Sequence, residues 1–323
     1  MPKTRVKTFH SANYLQIIIG IIAYAYILYK LYFFFLAEEF TLKPIFLGLL
    51  PVALLLMPLN WFLEALKWRV IISPVVQISI NKSIRGILMG LSLGIFTPNR
   101  WGELPGRLWV IPSEKSVQAL LLSGLGSVFQ AAVTLLFGIP GFLIFRQNFG
   151  FNSTMQSGNL NFYLVAFLIV FILVLLFYGL YTANFGQLKH FNFKKKYLWA
   201  KLQFQALYTN VKKLTILQLS IVFAYSSARY LIFFLQFWIL LFACNLELTF
   251  FEAAIGVSSY FFVLHFVPVL PGTEPGIRTA GAIAIFEAFS PNVGSITLVA
   301  MLLWLINLAL PASIGSLLLF KKL

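Results

Sequence analysis

The chain has 323 residues, of which 60% are hydrophobic and only 10% charged. Soluble domains carry about a quarter charged residues, so a water-facing surface cannot be built from this composition, and disorder is excluded with it. There are 24 Lys and Arg against nine acids, all nine Glu, for a formal net charge of +15. The basic residues fall mainly between apolar runs, as the positive-inside rule and anionic headgroups select, rather than in a domain able to hold nucleic acid. The composition is that of an all-α polytopic membrane protein.

In chain order, a basic start (Lys3, Arg5, Lys7) leads into an apolar run, Tyr14–Leu36, long enough to span and without a cleavage site after it. A polar bend with Glu38, Glu39 and Lys43 precedes a second span, Pro44–Leu66, closed by Trp61, Lys67, Trp68 and Arg69 as an interfacial anchor. The next apolar run, Ser83–Phe96, offers only about 21 Å of helix. It breaks at Thr97-Pro98-Asn99-Arg100-Trp101-Gly102-Glu103-Leu104-Pro105-Gly106-Arg107 and reads as re-entrant. Val117–Phe145 spans, with Ser123, Gly124, Gly126 and Ser127 for close packing and a kink expected at Gly138-Ile139-Pro140-Gly141.

A polar loop, 146–161, holds the sequon Asn152-Ser153-Thr154, and Phe162–Tyr181 spans again. Leu188–Leu214 mixes seven lysines with aromatics and predicts a basic amphipathic helix on the cytoplasmic face; a solvated linker is the plainer alternative. Ile216–Ala243 is a long span with Arg229 at its middle. Glu252–Val267 is apolar and breaks at Pro268-Val269-Leu270-Pro271-Gly272-Thr273-Glu274-Pro275-Gly276-Ile277-Arg278. A short helix, Thr279–Phe289, and a last span, Val293–Phe320, complete the chain.

Counting basic loops puts both termini in the cytoplasm. Parity then makes segments 83–116 and 252–291 enter and return from opposite faces, whether each is re-entrant or crosses when tilted. The expectation is one integral membrane domain of about six full spans and two broken helix pairs in an inverted repeat. Its first half is about 10–183, its linker 184–214 and its second half about 215–320.

Broken backbone at membrane depth must face protein or a wet cavity, and free helix ends there favour anions. Arg100, Arg107 and Arg278 flank the breaks, Arg229 lies in the neighbouring span, and Glu103, Glu274 and Glu287 are near in sequence. A charge at a helix centre costs about 2.5–3.5 kcal/mol, so Arg229 needs a partner. Either Arg229 and Arg278 neutralise a lipid phosphate, or Arg229 pairs permanently with Glu287 or Glu252 and only holds helices together. For Arg100 and Arg107 the alternative role is anchoring to headgroups; Glu103 is a salt-bridge partner or an amine or proton site. His265 reads as a buried histidine and Asn99 as a turn residue. With no Asp, a lone Cys244 and three scattered histidines, no catalytic, metal or cofactor set is expected.

At the two breaks the chain resembles a flippase-like membrane family typified by the transmembrane half of lysylphosphatidylglycerol synthases. The first element is Arg85, then Pro98, Arg100, Gly102-Glu103 and Arg107; the second is Pro268, Pro271-Gly272, Gly276 and Arg278. The likeness runs over roughly residues 10–320. Departures are Thr273 for a second Gly, Glu274, an inserted Pro275, and Thr279 where the family has Glu. The family's soluble aminoacyl-transferase half is not in this sequence, so lipid lysylation is not implied. The resemblance implies movement of an anionic or aminoacylated phospholipid, or a polyprenyl-linked lipid, between leaflets of the cell membrane, with no cofactor. The substrate set would be Arg85, Arg100, Glu103, Arg107, Arg229, Glu274, Arg278 and Glu287. Competing readings are a non-transporting scaffold that binds lipid for a partner lipid-modifying enzyme, and a membrane-embedded transferase.

Overall fold

The computed structural model describes residues 46–149 and 205–320. The spans expected at 14–36 and 162–181, the sequon, and most of the basic linker lie outside the described residues. Helix α1 is Phe46–Ile72 and α2 is Ile80–Ile95. A tight turn at Pro98–Arg100 and a short helix α3, Glu103–Arg107, lead to the long α4, Ser113–Phe149. After a helical stretch at 205–212 come α5, Ile216–Ala243, α6, Phe250–Phe266, and α7, Glu274–Phe286. Helix α8, Val293–Trp304, continues through a π turn, Leu305–Ala309, into α9, Leu310–Phe320.

Among the described residues four segments are long and apolar enough to cross a membrane: α1, α4, α5 and the joined α8–α9. Each of two units thus runs long helix, short helix, break, short helix, long helix. The units interlock by exchange. The short α6 lies along α4 of the first unit, the short α2 lies along α9 of the second, and α1 packs on α5. One apolar core gathers around Phe237, Tyr260, Ile283 and Phe286; another gathers around Trp68, Ile71, Ile87 and Leu122.

Local chemistry explains the breaks. Thr215 with Gln218 and Thr249 with Glu252 form capping boxes that start α5 and α6. Helix α7 begins at Glu274 rather than Thr279, because Pro275 sits in its first turn, where a missing N–H costs nothing. Gly272, with φ +82°, turns the chain into it. In the first break Asn99 and Arg100 both adopt left-handed φ, 48° and 59°.

Two sequence expectations change, at the end of α1 and at Gly124. Helix α1 runs on to Ile72, so Lys67 and Trp68, each 1% exposed, are core residues rather than an interfacial anchor. The Trp68 indole donates to Ser123 Oγ at 2.8 Å. Helix α4 continues through Pro140. The glycines beside that proline lie where α6 leans on α4: a Cβ on Gly141 would fall 2.5 Å from the Ser258 side chain. Finally, Gly124 faces open space, whereas Gly126 would meet Ile71 at 2.8 Å.

Candidate functional site

Between the two cores lies a cavity of about 660 Å³. Helix α1 contributes Asn60, Glu64 and Lys67 to its wall, spaced to fall on one helical face. The first break and α3 contribute Arg100, Glu103 and Arg107; α4 gives Gln130, α5 gives Arg229, α7 gives Arg278 and the π turn gives Asn307.

The breaks are held in place by close backbone approach. Gly90 of α2 lies against α3, and a Cβ there would come 2.5 Å from the Glu103 carbonyl. A Cβ on Gly106 would come 2.7 Å from the Gly90 Cα. Only glycine on both sides lets α3 lie on α2 and aim Arg107 at α1. The tips of the two breaks also meet. Asn99 N–H donates to the Val269 carbonyl at 2.7 Å, and Val269 N–H donates to Asn99 Oδ1 at 2.6 Å.

The centre of the site is Glu64, 5% exposed. Lys67 Nζ and Arg107 Nη1 each lie 2.7 Å from its carboxylate, and Arg229 Nη1 bonds the same group. Arg229 Nε donates to Asn60 Oδ1 at 2.6 Å, and Gln130 Oε1 accepts from Arg229 at 3.2 Å. Glu103 bridges outward, 3.4 Å from Arg107 and 3.3 Å from Arg100. Opposite, Arg278 binds Glu274 through Nε and Nη2 at 3.0 and 2.8 Å, and Arg100 stands 4.0 Å from the same carboxylate. Glu274 backs onto a second cavity of about 380 Å³ beside Phe96, Gly272 and Trp304. The Arg278–Glu274 pair therefore forms a partition between the two cavities.

Of the residues expected from sequence, Arg100, Glu103, Arg107, Arg229 and Arg278 come together, with Glu274 directly behind. Arg85 is exposed on α2, and Glu287 ends α7; neither lines the cavity. Arg229 pairs with Glu64, not with Glu252, which caps α6, or with Glu287. His265 is exposed toward the cavity mouth rather than buried. Sequence reasoning missed Glu64, Lys67, Asn60, Gln130 and Asn307. The signal was there: an Asn-x3-Glu-x2-Lys stripe within an apolar helix marks an inward polar face.

Asn307 shows how such a face is held together. Its amide donates to Gln236 Oε1 at 2.7 Å, and Gln236 donates to the Ala53 carbonyl at 2.8 Å. This joins the π turn to α5 and α1. Single π turns inside α-helices recur at functional sites, and this one brings a polar side chain to the cavity wall.

Long apolar helices around a charged cavity define an integral membrane protein. The chain belongs to the family described as the lysylphosphatidylglycerol synthase TM region, which it matches over residues 13–315. Comparison with curated proteins and with solved structures gave no match. Membership in that family places the protein among those that act on or with membrane lipids.

Proposed function

We propose that the chain is a lipid translocase of the cell membrane that carries a charged headgroup between leaflets through this cavity while the acyl chains remain in lipid. The observation that carries this is the charge of the wall. Five cations, Lys67, Arg100, Arg107, Arg229 and Arg278, face Glu64 and Glu103 with Glu274 behind, so cations exceed carboxylates in a space of headgroup size. Such a surplus inside an apolar bundle is stabilised by a bound anion, and the phosphate of a lipid is the anion at hand.

The exchange of short helices between units supports an inverted repeat, as does the meeting of both break tips beside the cavity. On this reading the segments at 14–36 and 162–181 complete six spans, both termini are cytoplasmic, and rocking of one unit against the other alternates access. The chain works without covalent chemistry on the lipid; a partner enzyme would make or consume the headgroup.

Leaflet exchange in proteoliposomes tests the proposal. Fluorescent anionic, aminoacylated and polyprenyl-phosphate lipids are followed with a membrane-impermeant quencher, for wild type, Arg278→Ala and Arg229→Ala. Protein-dependent exchange lost in folded variants is expected. No exchange of any class by folded wild type would overturn it and leave the arginines as permanent helix ties.

A further inference from the structure

We infer that the headgroup recognised here ends in a phosphate bearing two negative charges, a phosphomonoester or diphosphate, rather than the singly charged phosphodiester of ordinary phospholipids. This rests on the proposed translocase function. It follows from the count and placement of charge. Among the described residues around the cavity, five cations stand against three carboxylates, a formal surplus of two. Among the described residues the other carboxylates, Glu114, Glu247, Glu252 and Glu287, do not line the space. A phosphodiester would cancel half of that surplus, and a dianion would cancel all of it.

The donors are arranged for such a group. Glu64 is a single carboxylate shared by three cations, so it offsets only part of their charge. Arg107 is 7% exposed, and its Nε–H is buried with no acceptor. A buried guanidinium N–H without a partner is rare, and a bound acceptor oxygen would satisfy it. Arg100 is held loosely, at 3.3 and 4.0 Å from its two carboxylates, and keeps about a quarter of its side chain exposed. A terminal phosphate presents three oxygens and can engage both arms of such a site; a phosphodiester has only two unesterified oxygens.

Binding to the purified protein in lipid nanodiscs tests the inference. The probes are dioleoyl phosphatidate, dioleoyl phosphatidylglycerol and dioleoyl phosphatidylcholine, which share their tails, at pH 8, where a phosphomonoester is dianionic. Sodium phosphate and sodium pyrophosphate serve as tail-free competitors. The expected result is phosphatidate bound about tenfold more tightly than phosphatidylglycerol, with phosphatidylcholine weakest. Lys67→Met and, at a more exposed position, Arg100→Gln each lower the surplus by one. Each should weaken phosphatidate more than phosphatidylglycerol and shrink the preference to about threefold or less.

Equal binding of phosphatidate and phosphatidylglycerol by wild type would overturn the inference. So would a preference undiminished in both folded variants. Competition by free phosphate as strong as phosphatidate itself would keep the dianion site and assign it to a soluble anion. Leaflet exchange of phosphatidylglycerol by a protein with no dianion preference would sink this inference and leave translocation standing. A dianion preference without exchange of any lipid would do the reverse.

Discussion

Glu64→Gln is the most informative single change. It keeps the volume of a residue that is 5% exposed and removes the one negative charge shared by Lys67, Arg107 and Arg229. Two of those contacts are at 2.7 Å. The amide oxygen can still accept from one cation, but its NH2 group faces the others, and three positive groups are left around a neutral side chain. Removing one partner of a buried pair costs about 3–5 kcal/mol, and the retained acceptor favours the lower end, about 3 kcal/mol. For a protein of this size that corresponds to a fall in Tm of about 4 °C, measured by thermal unfolding in detergent. Adding Lys67→Met removes one of the stranded cations, so the double variant should recover about half of the loss. A double-mutant cycle reads that coupling directly. Dioleoyl phosphatidate should stabilise Glu64→Gln more than wild type, since a phosphate oxygen can take the vacated role. A variant within 1 °C of wild type, with no coupling to Lys67, would refute the view that Glu64 organises the site.

Asn99→Ala loses the acceptor for Val269 N–H and places alanine at φ 48°, so it should destabilise by about 1–2 kcal/mol in the same thermal assay. Gly90→Ala puts a methyl 2.5 Å from the Glu103 carbonyl and should cost about 2–3 kcal/mol and reduce lipid binding by tilting α3. Gly124→Ala, with nothing within 4 Å of the new Cβ, should be neutral or stabilise by up to about 1 kcal/mol, and equal losses at the two glycines would refute the packing account. A cysteine pair, Asn99→Cys with Val269→Cys, should close across the tips and stop leaflet exchange until reduced. The native thiol, Cys244, is buried, so background is low; full exchange with the bridge closed would show that the tips never part.

The long helices were legible because apolar length alone specifies a span: Ile216–Ala243 has the same ends in sequence and structure. The breaks were legible because Pro98 and the Pro271-Gly272 pair interrupt apolar runs. What misled was the end of α1. The Leu66-Lys67-Trp68-Arg69 stretch has the composition of a membrane anchor, and composition does not distinguish a lysine that snorkels to headgroups from one that turns inward to a carboxylate. That choice depends on what the neighbouring helices present. Here Gln130 of α4 and Arg229 of α5 complete the cluster, and neither is near Glu64 in sequence. The start of α7 lies five residues before the expected Thr279, because Pro275 sits in a first turn rather than in the break. The exposed placement of His265 depends on where α6 ends relative to the cavity, which no local pattern encodes.

The seam between the breaks is weak compared with what surrounds it. Its polar contacts among the described residues are two hydrogen bonds at Asn99 and Val269 and one ion pair at 4.0 Å between Arg100 and Glu274. Neutral hydrogen bonds contribute about 1 kcal/mol each net, and a partly exposed ion pair contributes up to about 1 kcal/mol, so parting the tips costs on the order of 3 kcal/mol. At that cost an open form is populated at about 1%, within thermal reach. Arg100 belongs to both structures: it closes the seam through Glu274 and stands in the cavity wall beside Glu103. On the proposed translocase function, a headgroup phosphate that drew Arg100 toward itself would take it from Glu274 and lower the cost of parting. On that function, occupancy of the cavity and opening of the seam would be linked through one side chain, and by reciprocity an open seam should bind the anion more tightly than a closed one.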